Sequence, residues 1–340
     1  MKKTVYLFTA LAVILLAACG NHRQIPDTSS ISLNVEITRF DQELFQLDTL
    51  QLGAGLTQLA TMEPSFYNDY MNYILGVSGL PEDSATLRIT RFFLRTYSGI
   101  YDSLQSVYQN TGQLQKELEQ AYRLVKFYFP SYNPGKIWLH LGPFDAPGIA
   151  AVQGGMAIGL QQFAGGSFSA YQNPQVQELF PSYLSRRFSP EYIVPNTLKA
   201  IAEDLFPYEA AGQPLLEQIV EKGKYWYLTD LFLPETADSL KTGFTTHQLE
   251  WCIENEGLIW NHLLRSDELQ SLNPVVIQNY IGEGPFTQGL SQEDSPGNIG
   301  PWIGWQIVKK FVKMFPDLTP QQIMKTPAVE LLEKARYKPK

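Results

Sequence analysis

The stretch SPGNIGPWIGWQIV, residues 295–308, joins a loop rich in glycine and proline to an apolar segment. From Asn298 to Phe315 the apolar side chains leave only a narrow polar stripe, which consists of Gln306, Lys309, Lys310 and Lys313. A helix with so broad an apolar surface is buried on most of its sides. Gly300 and Gly304 lie on one face of this helix, and without side chains they let another element approach the backbone closely. We therefore predict a core helix over residues 298–315.

The glycines of this stretch do not form a phosphate-binding motif. A P-loop requires Gly-x₄-Gly-Lys-Ser/Thr, and a dinucleotide fold requires Gly-x-Gly-x-x-Gly. Gly297, Gly300 and Gly304 have neither spacing. We interpret the stretch as the start of a buried helix rather than as a catalytic loop, and we predict no cofactor.

The rest of the chain indicates an α+β fold. Strand-like patterns occur at residues 35–41 and 136–142, and the Gly154-Gly155 pair predicts a hairpin turn between residues 149–152 and 156–160. Helical periodicity dominates elsewhere, over residues 84–97, 112–129, 195–206, 213–233, 245–264 and 320–336. Residues 161–191 are predicted to be an irregular connection. We predict a predominantly helical single domain around a small β-sheet, spanning residues 34–340.

The first 18 residues have the pattern of a lipoprotein signal peptide. Lys2 and Lys3 precede a short apolar run that ends in Leu-Ala-Ala directly before Cys19. This run is too short for a lasting transmembrane helix. We predict that Cys19 is lipidated, and each buried CH₂ of its acyl chains adds about 0.8 kcal/mol of membrane affinity. Residues 19–33 are then a flexible tether.

The composition narrows the possible partners. The chain has 34 acidic and 26 basic residues and a net charge of −8, which argues against nucleic acid. No later run of 18 apolar residues occurs, so the lipid on Cys19 is the predicted membrane attachment. Cys252 is the other cysteine, and because Cys19 carries the lipid we expect no internal disulfide.

Metal and nucleophile motifs are weak in this sequence. A zinc-peptidase helix needs two histidines one turn apart, and no pair among His22, His140, His247 and His262 has that spacing. Cys252 follows His247 by five residues, which leaves a catalytic dyad open, although a packed thiol is the plainer interpretation. We predict no metal site and no catalytic set.

Three carboxylates leave an enzymatic alternative open. Glu250 and Glu254 lie one helical turn apart, and Glu221 lies on the preceding predicted helix. Paired carboxylates can perform acid–base chemistry. The alternative interpretation is a solvated helix face, with Glu221 pairing Lys224 at i,i+3.

Ordered stretches along the chain resemble the gliding motility lipoprotein GldB family of Bacteroidetes. They include VEITRFDQELFQLD, KIWLHLGPFDAPGIA, YIVPNTLKAIAEDLFP, LLEQIVEKGKYWYLTDLFLPET, WCIENEGLIWNHLL and IGEGPFTQGLSQEDSPGNIGPWIGWQIVKKF. The resemblance implies an envelope lipoprotein, in the outer rather than the inner membrane, associated with gliding and type IX secretion. It implies no established catalytic mechanism.

The layout is also similar to predicted zinc-peptidase families. In that comparison Lys199 to Glu203 would occupy the metal-binding helix, and Glu221 would occupy the position of a later glutamate. The histidines are absent. This similarity implies a peptidase-like scaffold that has lost its metal.

These observations give one leading hypothesis and two alternatives. The leading hypothesis is a non-enzymatic envelope lipoprotein that contacts the gliding or secretion machinery. Its predicted site is a groove beside residues 295–308, formed by Trp302, Trp305, Phe286 and Glu221, because aromatic anchors suit protein contacts. The first alternative is an envelope hydrolase that uses Glu221, Glu250 or Glu254. The second is a carbohydrate-binding protein, suggested by the aromatic content of 13%.

Overall fold

The structure is a computed structural model that describes residues 25–266 and 268–339. The predicted signal peptide, Cys19 and the first residues of the predicted tether lie outside the described residues. Over the described ranges the chain has the predicted α+β fold, mainly helical around a small mixed sheet. No helix in those ranges is long and apolar enough to cross a membrane.

The sheet has four strands: β1 (Ile37–Arg39), β2 (Lys136–His140), β3 (Ile149–Val152) and β4 (Gly155–Gly159). Their order is β1-β2-β4-β3, in which β2 pairs in parallel with both β1 and β4. The predicted hairpin is confirmed, since β3 pairs antiparallel with β4. Gly154 in its turn has a φ of +89°, which suits glycine.

Sixteen α-helices occur in the described ranges. Those of the N-terminal half are α1 (Phe40–Phe45), α2 (Leu52–Met62), α3 (Pro64–Asp69), α4 (Ser84–Val107), α5 (Gly112–Tyr128), α6 (Pro174–Leu179) and α7 (Ser182–Ser185). Those of the C-terminal half are α8 (Ile193–Leu205), α9 (Leu215–Phe232), α10 (Asp238–Thr242), α11 (Thr246–Glu254), α12 (Glu256–Arg265), α13 (Pro274–Ile281), α14 (Ile299–Met314), α15 (Pro320–Lys325) and α16 (Ala328–Ala335).

Two predicted helices are interrupted, and one predicted loop is partly helical. The helix predicted over residues 245–264 breaks at Asn255, which ends α11 and precedes α12. The helix predicted over residues 320–336 is divided into α15 and α16 at Thr326 and Pro327, because Pro327 has no N–H to donate to the turn before it. The connection predicted to be irregular contains α6 and α7.

The core helix predicted from residues 298–315 is confirmed as α14, and it packs along α9. A methyl group built on Gly300 would lie 2.9 Å from the Ile219 side chain and from the carbonyl oxygen of Tyr280. One built on Gly304 would lie 2.0 Å from the carbonyl oxygen of Ile219. The two glycines therefore allow the close backbone approach that their spacing predicts.

Candidate functional site

The loop before α14 is fixed by buried hydroxyl groups. Thr287 and Ser295 have no exposed surface. Thr287 Oγ1 donates to the carbonyl oxygen of Pro296 at 2.7 Å, and Ser295 Oγ donates to that of Ser291 at 2.5 Å. Satisfied buried hydrogen bonds of this kind rigidify a loop. These hydrogen bonds therefore connect residues 287–291 to residues 295–296, directly before α14.

The prediction that Trp302 and Trp305 line an open groove is wrong. Trp302 and Trp305 are only 1% and 2% exposed, so both belong to the core. The ring of Trp305 packs edge-to-face on Trp226, with 6.1 Å between the centroids. The amine of Lys309 lies 3.9 Å from the centroid of the Trp305 ring, a cation–π contact. With α9 on one side and Lys309 over the ring, neither indole is open to a partner.

Phe286, the third residue of the predicted groove, lies at an open surface. It is half-buried and lines a cleft of about 630 Å³ together with Pro274, Val275, Gln278, Asn279 and Pro285. A second cleft, of about 660 Å³, is lined by Trp251, Asn255, Leu258, Asn261, His262, Arg265 and Leu290. The loop of residues 282–291 contributes to both. We call the two clefts and this loop the loop surface.

The loop surface exposes large apolar side chains. Leu258 in one cleft is 54% exposed, and Val275 in the other is 77% exposed. Leu264 and Leu272, in the segment that connects the two positions along the chain, are 50% and 61% exposed. Leu258 and Val275 thus give each cleft one exposed apolar side chain among polar neighbours, an arrangement suited to an interaction site.

Hydrogen bonds hold the loop surface in one arrangement. Tyr280 of α13 donates its hydroxyl to Glu268 at 2.6 Å, and that hydroxyl also lies 3.2 Å from Nε2 of His262 on α12. Burial, and then the hydrogen bond to Glu268, raise the pKa of Tyr280, so the hydroxyl remains a donor at neutral pH. Asn279 accepts from the backbone N–H of Gln288 at 2.9 Å. These bonds join the loop to α13, and α13 to α12 and Glu268, which preorganises the surface for docking.

The candidate carboxylates have no common site. Glu221 accepts from Lys224 of its own helix at 2.6 Å, away from the loop surface, and the side chain of Lys224 is only 1% exposed. The same amine donates to the carbonyl oxygens of Met324 and Thr326, so Glu221 and Lys224 hold the C-terminal segment. Glu250 and Glu254 are exposed on α11. This arrangement offers no carboxylate pair facing a cleft, and Glu221 does not join Phe286 in a groove.

The side chains that could bind a metal ion are also dispersed. No group of three or more His, Cys, Asp or Glu side chains in the described ranges is arranged to hold a metal ion. On α8, where the peptidase comparison would place metal ligands, Glu203 is exposed. Lys199 is half-buried, and its amine lies 6.0 Å from the centroid of the Trp226 ring. Burial, and then the nearby Arg187, lower the pKa of Lys199 to about 8.

The possible Cys252–His247 dyad is not formed. Cys252 has no exposed surface, and burial raises the pKa of its thiol. His247 is exposed, and its Nε2 lies 2.8 Å from Oδ1 of Asp294. A buried thiol with a raised pKa is a poor nucleophile, so Cys252 is a packed core residue.

A third cavity in the described part of the chain is lined by residues other than those of the loop surface and includes the end of the predicted tether. It has a volume of about 770 Å³ and is lined by Ile25 and Pro26, by Val107 at the end of α4, and by residues of α5, α8, α9 and α10. Ile25 and Val107 thus border the same cavity. No motif in the sequence indicated this cavity.

The fold and the surface define a helical α+β domain with a rigid, partly apolar face, suited to protein contacts. A family model described as gliding motility protein GldB matches residues 21–339, nearly the whole chain. The chain therefore belongs to the GldB gliding motility family, as the ordered sequence stretches predict. No curated protein and no solved structure gives a significant match.

Proposed function

We propose that this protein is a lipid-anchored component of the cell envelope that supports gliding motility or the associated type IX secretion machinery by binding other proteins. The observation that carries the proposal is the loop surface. It combines exposed apolar side chains, Leu258 and Val275, with a backbone held by buried hydrogen bonds. Such preorganised apolar clefts are what a protein–protein contact needs at its centre.

The lipid on Cys19 gives the proposed location. The family is one of gliding motility proteins, and its match begins at residue 21, just after the predicted lipidation site. We place the anchor in the outer rather than the inner membrane. The short distance from Cys19 to the first described residues keeps the folded domain close to the membrane surface.

A binding role without catalysis is the second part of the proposal. The dispersal of Glu221, Glu250 and Glu254 and the burial of Cys252 support it. The purified protein is therefore expected to leave envelope peptides intact. Cleavage of such peptides by the wild-type protein would overturn this part.

Co-purification tests the binding role. The lipidated protein is isolated from its own envelope, and bound proteins are quantified by mass spectrometry. Leu258→Glu combined with Val275→Glu is expected to reduce the recovery of specific partners by tenfold or more, since loss of an interface anchor of about 2 kcal/mol has that effect. The matched control is Leu179→Glu with Val329→Glu, two residues that are 51% and 50% exposed elsewhere. Equal recovery with both double variants would contradict the proposal.

A further inference from the structure

Helix α4 carries an exposed basic face. Arg88, Arg91 and Arg95 follow one another at i, i+3 and i+7, and all three are exposed. Residues at this spacing lie on one side of a helix. In the described ranges none of the three forms an ion pair, and Arg91 donates only to the carbonyl oxygen of Thr49. We call Arg88, Arg91 and Arg95, with the neighbouring Phe92 and Leu50, the arginine face.

The arginine face contrasts with the charge of the whole chain. The protein has a net charge of −8, yet no acidic residue occurs in the sequence from Ser84 to Tyr101. Acidic residues adjoin the N-terminal end of the face: Asp48, Glu82 and Asp83. The carboxylate of Asp83 accepts the backbone N–H and the hydroxyl of Thr86, so it serves as the helix N-cap. Among the described residues, Arg88 and Arg95 therefore have no ion-pair partner, and Arg91 keeps N–H groups beyond its bonds to Thr49 with which to meet an external anion.

The same face exposes two large apolar side chains. Phe92 is 62% exposed and Leu50 is 92% exposed. The hydrogen bond from Arg91 to Thr49 brings the turn that carries Leu50 against α4. Arginine beside exposed Phe and Leu is the composition of a surface that lies in the interfacial region of a bilayer.

The tether places α4 close to the membrane. Ile25 and Val107 border the same cavity, so Ile25 lies on the side of the domain where α4 ends. Cys19 precedes Ile25 by six residues, which span at most about 20 Å. Helix α4 has 24 residues and is therefore about 36 Å long. The anchor therefore holds the C-terminal end of α4 near the bilayer, and the arginine face lies within the length of this helix.

We propose that the arginine face rests on anionic lipid headgroups of the membrane that holds Cys19, with Phe92 and Leu50 entering the interface. This inference rests on the lipid anchor of the proposed function. It adds a second contact between the domain and the membrane, beside the lipid anchor. Clusters of arginine near a bilayer favour anionic lipid, each residue contributing to the attraction.

Vesicle binding by the mature chain, residues 19–340 with Cys19→Ser, tests the arginine face without the lipid. Flotation is measured with vesicles of phosphatidylcholine alone and with phosphatidylglycerol added. The unlipidated chain is expected to bind the anionic vesicles in a salt-sensitive manner and to bind the neutral ones much more weakly. Arg88→Gln, Arg91→Gln and Arg95→Gln together are expected to lower the partition coefficient about 100-fold. Phe92→Ser is expected to lower it further.

The matched control replaces three exposed lysines, Lys310, Lys313 and Lys325, with Gln. It is expected to bind as the unsubstituted chain does, and equal unfolding midpoints show that both triple variants are folded. Failure of the unsubstituted chain to bind anionic vesicles, or an equal loss in the control, would overturn the inference; such a failure would point to an acidic protein as the occupant. The intact mass of protein isolated from membranes tests the anchor separately, so the two failures are distinguishable.

Discussion

Gly223 of α9 and Gly304 of α14 meet backbone to backbone. A methyl group built on Gly223 would lie 2.1 Å from the carbonyl carbon of Gly304, a distance that real side chains do not adopt. The two central helices therefore cross at a separation that only glycine permits. This crossing fixes the position of α14. The hydrogen-bonded segment of residues 287–296, which leads into α14, is positioned with it and contributes to the loop surface.

The crossing predicts a strong dependence of stability on Gly304. Gly304→Ala is expected to lower the free energy of unfolding by about 1–3 kcal/mol, because the added methyl overpacks the contact with Ile219. Gly99→Ala is the matched control. Gly99 lies inside α4 with open space at its Cβ position, so alanine there is expected to raise stability by up to about 1 kcal/mol. Urea unfolding measures both, and equal effects would refute the close crossing.

Lys224 is expected to be essential for the attachment of α15. Lys224→Met leaves the carbonyl oxygens of Met324 and Thr326 without their donor, with an expected loss of about 2–4 kcal/mol. Lys334→Met removes an exposed i,i+4 pair with Glu330 and is expected to cost less than about 0.5 kcal/mol. Urea unfolding gives the two free energies, and hydrogen exchange of residues 320–325 shows where the structure opens. Unchanged protection in Lys224→Met would contradict this role.

From the lowered pKa of Lys199 we predict how the free energy of unfolding changes with pH. The pKa of Lys199 is about 8 in the folded protein, compared with an ordinary value of 10.5. Below pH 8 the amine is therefore charged in both the folded and the unfolded state. Because the folded state buries this charge, the charge destabilises the folded state. Between those two values the unfolded chain binds more protons, and stability rises with pH. Lys199→Met is expected to raise the free energy of unfolding at pH 7 by up to about 3 kcal/mol. This gain should disappear as the pH passes 10.5.

The measurement is the difference in unfolding free energy between Lys199→Met and wild type across that pH range. Because the difference cancels the other titrating groups, it isolates Lys199. A gain that does not change between pH 7 and pH 11 would show that the amine is not desolvated.

Cys252 is expected to resist alkylation in the folded protein. Its thiol is buried with a raised pKa, and His247 is engaged by Asp294. A maleimide should label it only when denaturant unfolds the chain, and His247→Ala should not change the labelling rate. Rapid native labelling that slows in His247→Ala would restore the dyad as a candidate.

The sequence allowed the core helix to be predicted, but not its role. The apolar positions from Ile299 to Phe311 follow the period of a buried helix, and the structure buries them. The same pattern contains Trp302 and Trp305, which were also expected to contact a partner. Residue type favours aromatic anchors at interfaces, whereas helical spacing favours the core. In this protein Trp302 and Trp305 are core residues, as their helical spacing predicts, because α9 covers the face of α14 that carries them.

The loop surface was harder to predict, because exposure depends on which elements cover a helix. Leu258 follows Trp251 at i+7, and this spacing predicts that both lie on the same face of one amphipathic helix over residues 245–264. The break at Asn255 and the position of the 282–291 loop instead leave Leu258 at the edge of a cleft. Phe286 could be chosen from the sequence, since an aromatic residue between glycines and prolines in a loop has no helix face to bury it.

Site-specific photo-crosslinking in living cells tests whether the loop surface binds a protein partner. A photoreactive amino acid is placed at Leu258 or Val275 of the lipidated protein, and at Leu179 or Val329 as matched exposed positions. We predict that the first two positions capture a distinct envelope protein of the gliding or secretion machinery, and that the other two do not. Capture of the same proteins from all four positions, or of none from Leu258 and Val275, would contradict the claim that the loop surface is the binding site.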